Sequence, residues 1–244
     1  MTDFVRGIHD LGRGAHALAA RPRLWKWLLA PTAVALVLLA GAVALIWHLV
    51  GRVIDWLTAH LPHWLASITG PLLSAAVVVA LVIAALLIFV AVAGAIAGPF
   101  LEMLSEHLEA DLTGIEPPAF SLPRFLHELA TSIGHGIRRI AIALLGIAVV
   151  FALGFVPVAG PVIALIASGW FAARAAAYDC YDAVLARKGL SYQAKLDYLA
   201  AHRARTLGLG AAVAALLLVP FANLIALGLG AAGSTIAAVE RRPP

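Results

Sequence analysis

The segment WLLAPTAVALVLLAGAVALIWHLV, residues 27–50, indicates which solvent this chain needs. Its only strongly polar side chain is that of His48, and it contains no formally charged residue. At about 1.5 Å per residue, a helix of this length crosses the roughly 30 Å hydrocarbon core of a bilayer. Residues 72–98 form a second uninterrupted apolar run. We therefore predict two long transmembrane helices, over residues 27–50 and 72–98.

The composition of the whole chain agrees with this prediction. Of the 244 residues, 63% are hydrophobic and 12% are charged, whereas a soluble domain carries about 25% charged residues. The single cysteine, Cys180, excludes an intrachain disulfide and a multi-cysteine zinc site. The mixed polar residues before the first run are too many, and the run itself is too long, for a cleaved signal peptide.

Lysine and arginine are distributed unevenly around the apolar runs. Of the 17 basic residues, only Arg52 lies in the loop of residues 51–70. The positive-inside rule then places the N-terminal segment, residues 1–26, in the cytoplasm and the loop outside. Since most basic residues lie beside apolar segments, we expect membrane lipid as their partner and no nucleic acid.

Two further apolar segments, residues 139–177 and 207–239, are each interrupted by a proline-containing break. Proline removes a backbone donor and clashes with the preceding helical turn, so each segment should form a hairpin of two shorter helices. Charged residues flank each segment at both ends, and the positive-inside rule places both ends on the same side of the membrane. Either shallow re-entrant hairpins or pairs of tilted full spans satisfy that constraint. The residues of the two breaks are Pro157, Gly160, Pro161, Pro220 and Asn223.

The sequences around the two breaks resemble each other. VPVAGPVIALIAS (156–168) and VPFANLIALGLG (219–230) share Val-Pro, an alanine two residues later, and Ile-Ala-Leu. The similarity is either a weak internal repeat or a chance match between apolar segments. A true repeat of broken helices would indicate a transport site, because the N-terminal ends of half-helices attract anions.

The acidic stretch PFLEMLSEHLEADLTG, residues 99–114, directly follows the second apolar run. It opens an amphipathic cytoplasmic segment, residues 99–138, which contains a second amphipathic stretch from residue 121. The acidic side chains would lie either on a solvated face or in a polar network along a permeation route. The apolar stripe comprises Leu101, Leu104, Leu108 and Leu112, and the acidic stripe comprises Glu102, Glu106 and Glu109.

Motifs for catalysis are missing from the sequence. It contains no Ser-His-Asp order, nucleophile elbow, phosphate-binding loop or dinucleotide fingerprint. We therefore expect no enzyme activity and predict no catalytic residue, metal site or cofactor. Any transport would be driven by a gradient or by another protein.

Four stretches, in order along the chain, resemble the etoposide-induced-protein membrane family, which includes CysZ-like sulfate transporters. The resemblance extends from about residue 6 to residue 240. It implies an all-α inner-membrane protein with one membrane domain, residues 1–244, partly penetrating hairpins and a homo-oligomeric state. The four stretches are RPRLWKWLLAP (21–31), GPFLEMLSEHLEADLTG (98–114), YDCYDAVLARKGLS (178–191) and VPFANLIALGLGAAGST (219–235).

The resemblance also implies an anion-binding site before the first transmembrane helix. There the family has a proline followed by a Gly-hydrophobic-Arg-Arg pattern. In this chain Pro22 is followed by Arg23, Leu24, Trp25 and Lys26, so positive charge remains although the paired arginine fork does not. We predict Arg23, Leu24 and Lys26 as the anion-binding residues.

A polar core is the second site that the resemblance implies. Two glutamates of the family's polar network correspond to Glu106 and Glu109, which we predict to form a gate. The arginine that accompanies them is replaced here by Asp111, so the network needs a base from elsewhere. The candidate bases are Arg138, Arg139 and Arg174.

The preferred interpretation is an inner-membrane transporter or channel for sulfate or a similar small oxyanion, supporting sulfur assimilation and cysteine synthesis. The alternative is a membrane scaffold or assembly protein of the same fold that transports nothing. An enzyme that acts on lipid would need a buried nucleophile with a base, which the sequence does not display. Uptake of labelled sulfate distinguishes a transporter from a scaffold.

Overall fold

The computed structural model describes residues 2–59, 63–116, 121–155, 157, 159–219 and 222–241. Described side chains exclude those of residues 57–58, 63–74, 86–88, 90–95, 124–125, 127–140 and 223–224. In the described part the chain is helical and contains no strand. The predicted all-α class is confirmed there.

Eight α-helices and one 3-10 helix follow one another in the described residues. Some begin at clear local signals: the Ser191 hydroxyl accepts a hydrogen bond from the Ala194 N–H at 3.3 Å, and so caps the sixth α-helix. The elements are α1 Asp3–Ala19, a 3-10 helix Pro22–Leu24, α2 Trp25–Ala59, α3 His63–Thr113, α4 Leu122–Gly154, α5 Gly160–Leu185, α6 Tyr192–Ala201, α7 Arg203–Leu217 and α8 Asn223–Val239.

Residues 32–95 form one compact unit, built from parts of α2 and α3. Apolar side chains of α2 are exposed in it: Leu36 is 60% exposed and Trp47 is 88% exposed. A helix that is apolar all round and uncovered by protein needs lipid around it. By length and composition, Pro22–Trp56 is able to cross a membrane, in agreement with the predicted span over residues 27–50. The predicted span over residues 72–98 lies within α3 and is helical throughout.

Residues 1–31 and 96–244 form the other unit. In it α1 packs on α7 and α8, while α5 packs on α4, α7 and α8. One buried apolar cluster includes Leu18, Leu104 and Leu108, and a second includes Tyr181 and Leu209. The N-terminal segment is therefore an integral part of this core.

Glycines allow α1 and α7 to approach closely. A Cβ atom at Gly7 would collide with the backbone carbonyl of Arg205, and one at Gly208 would collide with that of Phe4. Both collisions involve backbone atoms that a side-chain rotation cannot move. The two helices consequently hold their spacing only with glycine at both positions.

The first hairpin consists of α4 and α5, with the predicted break between them at residues 155–159. Its arms have 33 and 26 residues, so the hairpin extends beyond the predicted range of residues 139–177 at both ends. The reason is that the amphipathic stretch from residue 121 continues directly into the apolar arm as one helix. α5, Gly160–Leu185, is also long and apolar enough to cross a membrane.

The second hairpin consists of α7 and α8, which end and begin on either side of residues 218–222. Pro220 itself lies outside the described residues, and Asn223 is the first residue of α8. At about 1.5 Å per residue, the 15 residues of α7 and the 17 of α8 extend over about 22 and 26 Å. Both lengths are below the roughly 30 Å of a bilayer core.

The acidic stretch is the C-terminal end of α3, which ends at Thr113. Leu101, Leu104 and Leu108 are buried there, as the apolar stripe predicted, whereas Leu112 is 39% exposed. The stripe therefore packs on the protein core until Leu108. At Leu112 this face of the helix opens to its surroundings.

Candidate functional site

The residues before α2 form a compact turn that we call the mouth segment, residues 21–26. Pro22 begins the 3-10 helix, and the Leu24 N–H donates to the Arg21 carbonyl at 3.0 Å. The Leu24 side chain is 1% exposed within the apolar core. Leu24 thus anchors the segment, and its N–H already has an acceptor within the turn.

Two arginines of the mouth segment meet one carboxylate of α3. The Arg23 Nη2 atom donates to Asp111 Oδ1, and the Arg21 Nε atom lies 3.2 Å from Asp111 Oδ2. Arg21 also donates from Nη1 to the Ala17 carbonyl at 3.1 Å. We call Arg21, Arg23 and Asp111 the mouth cluster. It holds two positive charges and one negative charge.

Lys26 and Trp27 complete the start of α2. The Lys26 Nζ atom lies 5.0 Å from the centre of the Trp27 ring, a cation–π contact. The Trp27 ring lies 5.4 Å from the His107 ring, between centroids. Its buried Nε1 atom has no hydrogen-bond acceptor among the described residues. Of the three predicted anion-binding residues, the structure leaves the side chains of Arg23 and Lys26 exposed and buries that of Leu24.

A second charged group lies two residues away from Asp111 on the same helix. The Glu109 carboxylate accepts from Arg187 Nη2 at 2.6 Å, and that nitrogen also lies 2.8 Å from Ser105 Oγ. Ser105 in turn bonds Thr235 of α8 at 2.7 Å. We call Ser105, Glu109, Arg187 and Thr235 the glutamate cluster. It joins α3, α8 and the segment after α5 inside the core.

Sequence reasoning missed Arg187 as the base beside Glu109. It lies 78 positions away along the chain, in the YDCYDAVLARKGLS stretch, so spacing carried no signal. Glu106 is half-buried, and the side chains of the candidate bases Arg138 and Arg139 lie outside the described residues. The third candidate, Arg174, lies over the Trp170 ring at 5.5 Å from its centre.

A third charged group joins both ends of the chain. The buried Asp10 carboxylate accepts two hydrogen bonds from Arg205, at 2.5 and 2.8 Å. Arg205 also donates to Glu240 at 2.7 Å, and Arg13 donates to Glu240 at 2.5 Å. We call Asp10, Arg13, Arg205 and Glu240 the terminal cluster. Sequence reasoning assigned no role to these four residues.

The terminal cluster shifts the pKa of its exposed carboxylate. Hydrogen bonds from Arg13 first, and then from Arg205, lower the pKa of Glu240 to about 2, against an opposing effect of burial. The hydrogen bond from Arg205 to Asp10 raises the pKa of that guanidinium above its ordinary value. These ion pairs form an ionic clamp between α1, α7 and the end of α8.

The residues of the break between α4 and α5 belong to none of these three charged clusters. Pro157 is exposed in the link between α4 and α5, and Pro161 is exposed in the first turn of α5. Gly160 is buried, and a Cβ there would lie 2.8 Å from the carbonyl oxygens of Leu153 and Gly154. Gly160 thus allows the tight approach of the two arms.

Chemically, the described residues offer cationic hydrogen-bond donors rather than metal ligands. No group of three or more His, Cys, Asp or Glu among them is placed to hold a metal ion. The guanidinium groups of the mouth cluster are forked donors, which suit carboxylate and tetrahedral oxyanions. They lie at the start of α2, where the long apolar span begins.

Comparison with known proteins covers nearly the whole chain. Residues 10–227 match the family described as Sulfate transporter CysZ/Etoposide-induced protein 2.4. A protein of Pectobacterium atrosepticum named sulfate transporter CysZ is 27% identical over 96% of this chain and 85% of its own. Proteins with the same name from Pseudomonas syringae pv. tomato and Pseudomonas fluorescens are 31% and 29% identical. They cover 92% of this chain each and 88% and 90% of their own.

Proposed function

Because the chain belongs to the sulfate transporter CysZ/etoposide-induced protein 2.4 family, we propose that it carries sulfate or a similar small oxyanion across a bacterial inner membrane. In this role it supplies sulfur for assimilation. The observation that carries the proposal is the match along nearly the whole chain to proteins named as sulfate transporters. The predicted spans and hairpins of residues 1–244 then form a single membrane domain.

The mouth segment supplies the anion-binding site in this proposal. Arg23 and Lys26 present exposed positive charges at the start of α2, and Leu24 fixes the turn through its buried side chain. A dianion that leaves water loses hydration, and charged hydrogen-bond donors compensate for that loss better than neutral ones. The site would collect the anion beside the apolar span.

The proposed membrane arrangement follows from the lengths of the helices. The N-terminal segment and the charged residues after the second span lie in the cytoplasm, as the positive-inside rule requires. α7 and α8 are too short to cross the bilayer upright, which favours a re-entrant second hairpin. We propose homo-oligomerisation and lipid contact for the uncovered apolar surface of α2.

The glutamate cluster is proposed as a charge-balanced gate. Arg187 neutralises Glu109 inside the core, which removes part of the repulsion that an anion would meet there. Glu106, one turn earlier on α3, would complete the gate. Glu106→Gln tests this role by uptake: a lower rate supports the gate, and an unchanged rate contradicts it.

Uptake of labelled sulfate tests the function directly. The chain is expressed in a bacterial strain that lacks sulfate transport, and initial rates are measured with and without sulfite or thiosulfate as competitors. We expect uptake that both competitors reduce. Replacing Arg23 and Lys26 together by Gln should lower the rate by at least about tenfold, because the loss of even one charged hydrogen bond, at the lower end of roughly 1.5 to 3 kcal/mol, corresponds to that factor.

Arg6→Gln is the matched control, since Arg6 is an exposed arginine of α1 that pairs with Asp3 rather than with the mouth cluster. Its rate should equal that of the parent protein. If correctly inserted protein gave no uptake in cells and no sulfate flux in liposomes, the alternative of a non-transporting scaffold would replace the proposal.

A further inference from the structure

The mouth cluster already contains an anion that belongs to the chain itself. Both oxygens of the Asp111 carboxylate face guanidinium groups, Oδ1 that of Arg23 and Oδ2 that of Arg21. Asp111 lies in the last turn of α3, so its backbone is held by the helix while its side chain reaches the mouth segment. The proposed anion-binding arginine therefore has a resident carboxylate partner.

A carboxylate and a sulfate ion use the same donors. Each presents negatively charged oxygens at a spacing that a guanidinium fork matches, and each gains from the same charge-assisted hydrogen bonds. A guanidinium that serves Asp111 with a given N–H cannot give the same N–H to a free oxyanion. The two anions should therefore compete for Arg21 and Arg23.

The ion pairs of Asp111 are less buried and less well hydrogen-bonded than those of a structural ion pair. The Arg23 side chain is 69% exposed. The buried Oδ2 atom has no well-directed hydrogen bond among the described residues, although Arg21 Nε lies 3.2 Å from it. Exposed ion pairs between long side chains contribute little net stability, because water and salt compete with them. The Arg23 side of the contact is consequently open to exchange with another anion, although the Asp111 side chain is itself 16% exposed.

Charge favours displacement by a dianion in particular. Two arginines and one aspartate leave a net charge of +1 in the mouth cluster, and the exposed Lys26 adds a further positive charge nearby. A doubly charged oxyanion compensates more of this positive charge than a single carboxylate does. Arg21 remains tied to the Ala17 carbonyl, which holds one donor group in place during the exchange.

We propose that Asp111 is a tethered competitor of the transported oxyanion, whose carboxylate occupies Arg21 and Arg23 until the free ion displaces it. The inference rests on the proposed function, since it assumes that the mouth segment binds the oxyanion. It assigns Arg21 as a further binding residue. It also makes Asp111 the residue that keeps affinity low enough for release.

Binding of inorganic sulfate to the purified full chain tests the proposal. Kd is measured by titration calorimetry in lipid-free detergent at fixed ionic strength, which excludes lipid phosphate as the ligand. We expect Asp111→Asn to bind sulfate about fivefold more tightly than the parent protein, since the carboxylate that pairs with both arginines no longer competes. Arg21→Gln in the Asp111→Asn background should weaken binding again by a similar factor.

Asp3→Asn is the matched control, because it removes one carboxylate that pairs with an arginine, Arg6, outside the mouth cluster. Its Kd should equal that of the parent, which separates competition at the site from a general change in net charge. Asp111→Glu should restore weaker binding.

Unchanged or weaker sulfate binding by Asp111→Asn would overturn the inference, because Asp111 would then be indifferent or would position the arginines for the ion. Absence of binding in the parent together with binding in Asp111→Asn supports it. Loss of the proposed function gives a different pattern: sulfate binds as expected in each variant, yet no flux occurs in liposomes. Absence of binding in every variant overturns both proposals.

Discussion

Glu109 and Asp111 are two residues apart on α3, and each carboxylate meets arginine, yet their surroundings differ. Around Glu109, both partners of the ion pair with Arg187 are nearly buried, with side-chain exposures of 10% and 12%. Around Asp111, the carboxylate is 16% exposed but Arg23 is 69% exposed. Two residues apart on an α-helix, the side chains point to nearly opposite faces, so one turn of α3 has one carboxylate in the core and another beside an exposed arginine.

This difference shows that burial decides whether an ion pair resists disruption or exchanges its partners. A buried pair that loses one partner leaves a charge without solvent, so the pair resists disruption. An exposed pair exchanges readily with water and with other ions. The buried pairs of the glutamate and terminal clusters therefore resist disruption, whereas Arg23 of the mouth cluster is open to water and ions.

The largest effect is expected when the most buried pair is broken. Arg205→Leu removes both hydrogen bonds to Asp10, which is 1% exposed and retains Arg13 at 3.2 Å. We expect a loss of about 3 to 5 kcal/mol in the free energy of unfolding, measured by denaturation in detergent. Arg203→Leu is the control, because Arg203 is exposed on the same helix. Equal losses in the two variants would show that the terminal cluster is not a clamp.

The next effect concerns the glutamate cluster itself. Arg187→Met removes a nearly buried donor that Glu109 and Ser105 share. It should lower the free energy of unfolding by about 2 to 3 kcal/mol. Adding Glu109→Gln should recover part of that loss, because the buried negative charge is then removed as well. A double-mutant cycle measures this coupling. Additive losses would mean that Glu109 and Arg187 are not coupled, and that their pair behaves like the exposed pair at Asp111.

A smaller, pH-dependent effect is expected at the exposed end of the terminal cluster. The pKa of Glu240 is lowered from 4.5 to about 2, so its stabilising contribution is complete above pH 4.5 and is lost as the pH falls through about 2. Since its side chain is 43% exposed, we expect about 1 kcal/mol from it. Glu240→Gln should reduce the fall in stability between pH 4.5 and 2. An identical fall in both proteins would assign it to other carboxylates.

The smallest effect on stability is expected at Asp111. Asp111→Asn should change the free energy of unfolding by less than about 1 kcal/mol, because the ion pairs it breaks include a largely exposed arginine. Thermal unfolding in the same detergent measures it alongside Arg187→Met. A loss as large as that of Arg187→Met would mean that Asp111 is structural, and that the two carboxylates do not differ.

Part of the fold could be predicted from the sequence for simple physical reasons. An apolar run long enough for a bilayer predicted the span inside α2, and proline predicted the break between α4 and α5. The helix ends were harder to predict. α3 continues through Gly98 and Pro99 to Thr113, although both residues are local signals for the end of a helix. Tertiary packing outweighs that signal, because the leucines of the amphipathic stretch are buried in the core.

The candidate site was predicted only in part. Arg23, Lys26 and Glu109 were predicted from their correspondence to the family's patterns. The carboxylate beside Arg23, Asp111, lies 88 positions away in the chain, and the base beside Glu109, Arg187, lies 78 positions away. Pairing over such distances depends on how helices pack, which no local pattern records. The same holds for α1, whose contact with α7 depends on glycines at positions 7 and 208.

The sequence by itself determined that this chain is helical, needs lipid around its first long helix and has a single basic residue in the loop of residues 51–70. These properties follow from composition and periodicity, which act locally and require no partner. Only the tertiary structure decided which acidic residue meets which arginine and how much water reaches each pair. Burial depends on the packing of distant helices, and it is burial that separates the Glu109 pair from the open pair at Asp111.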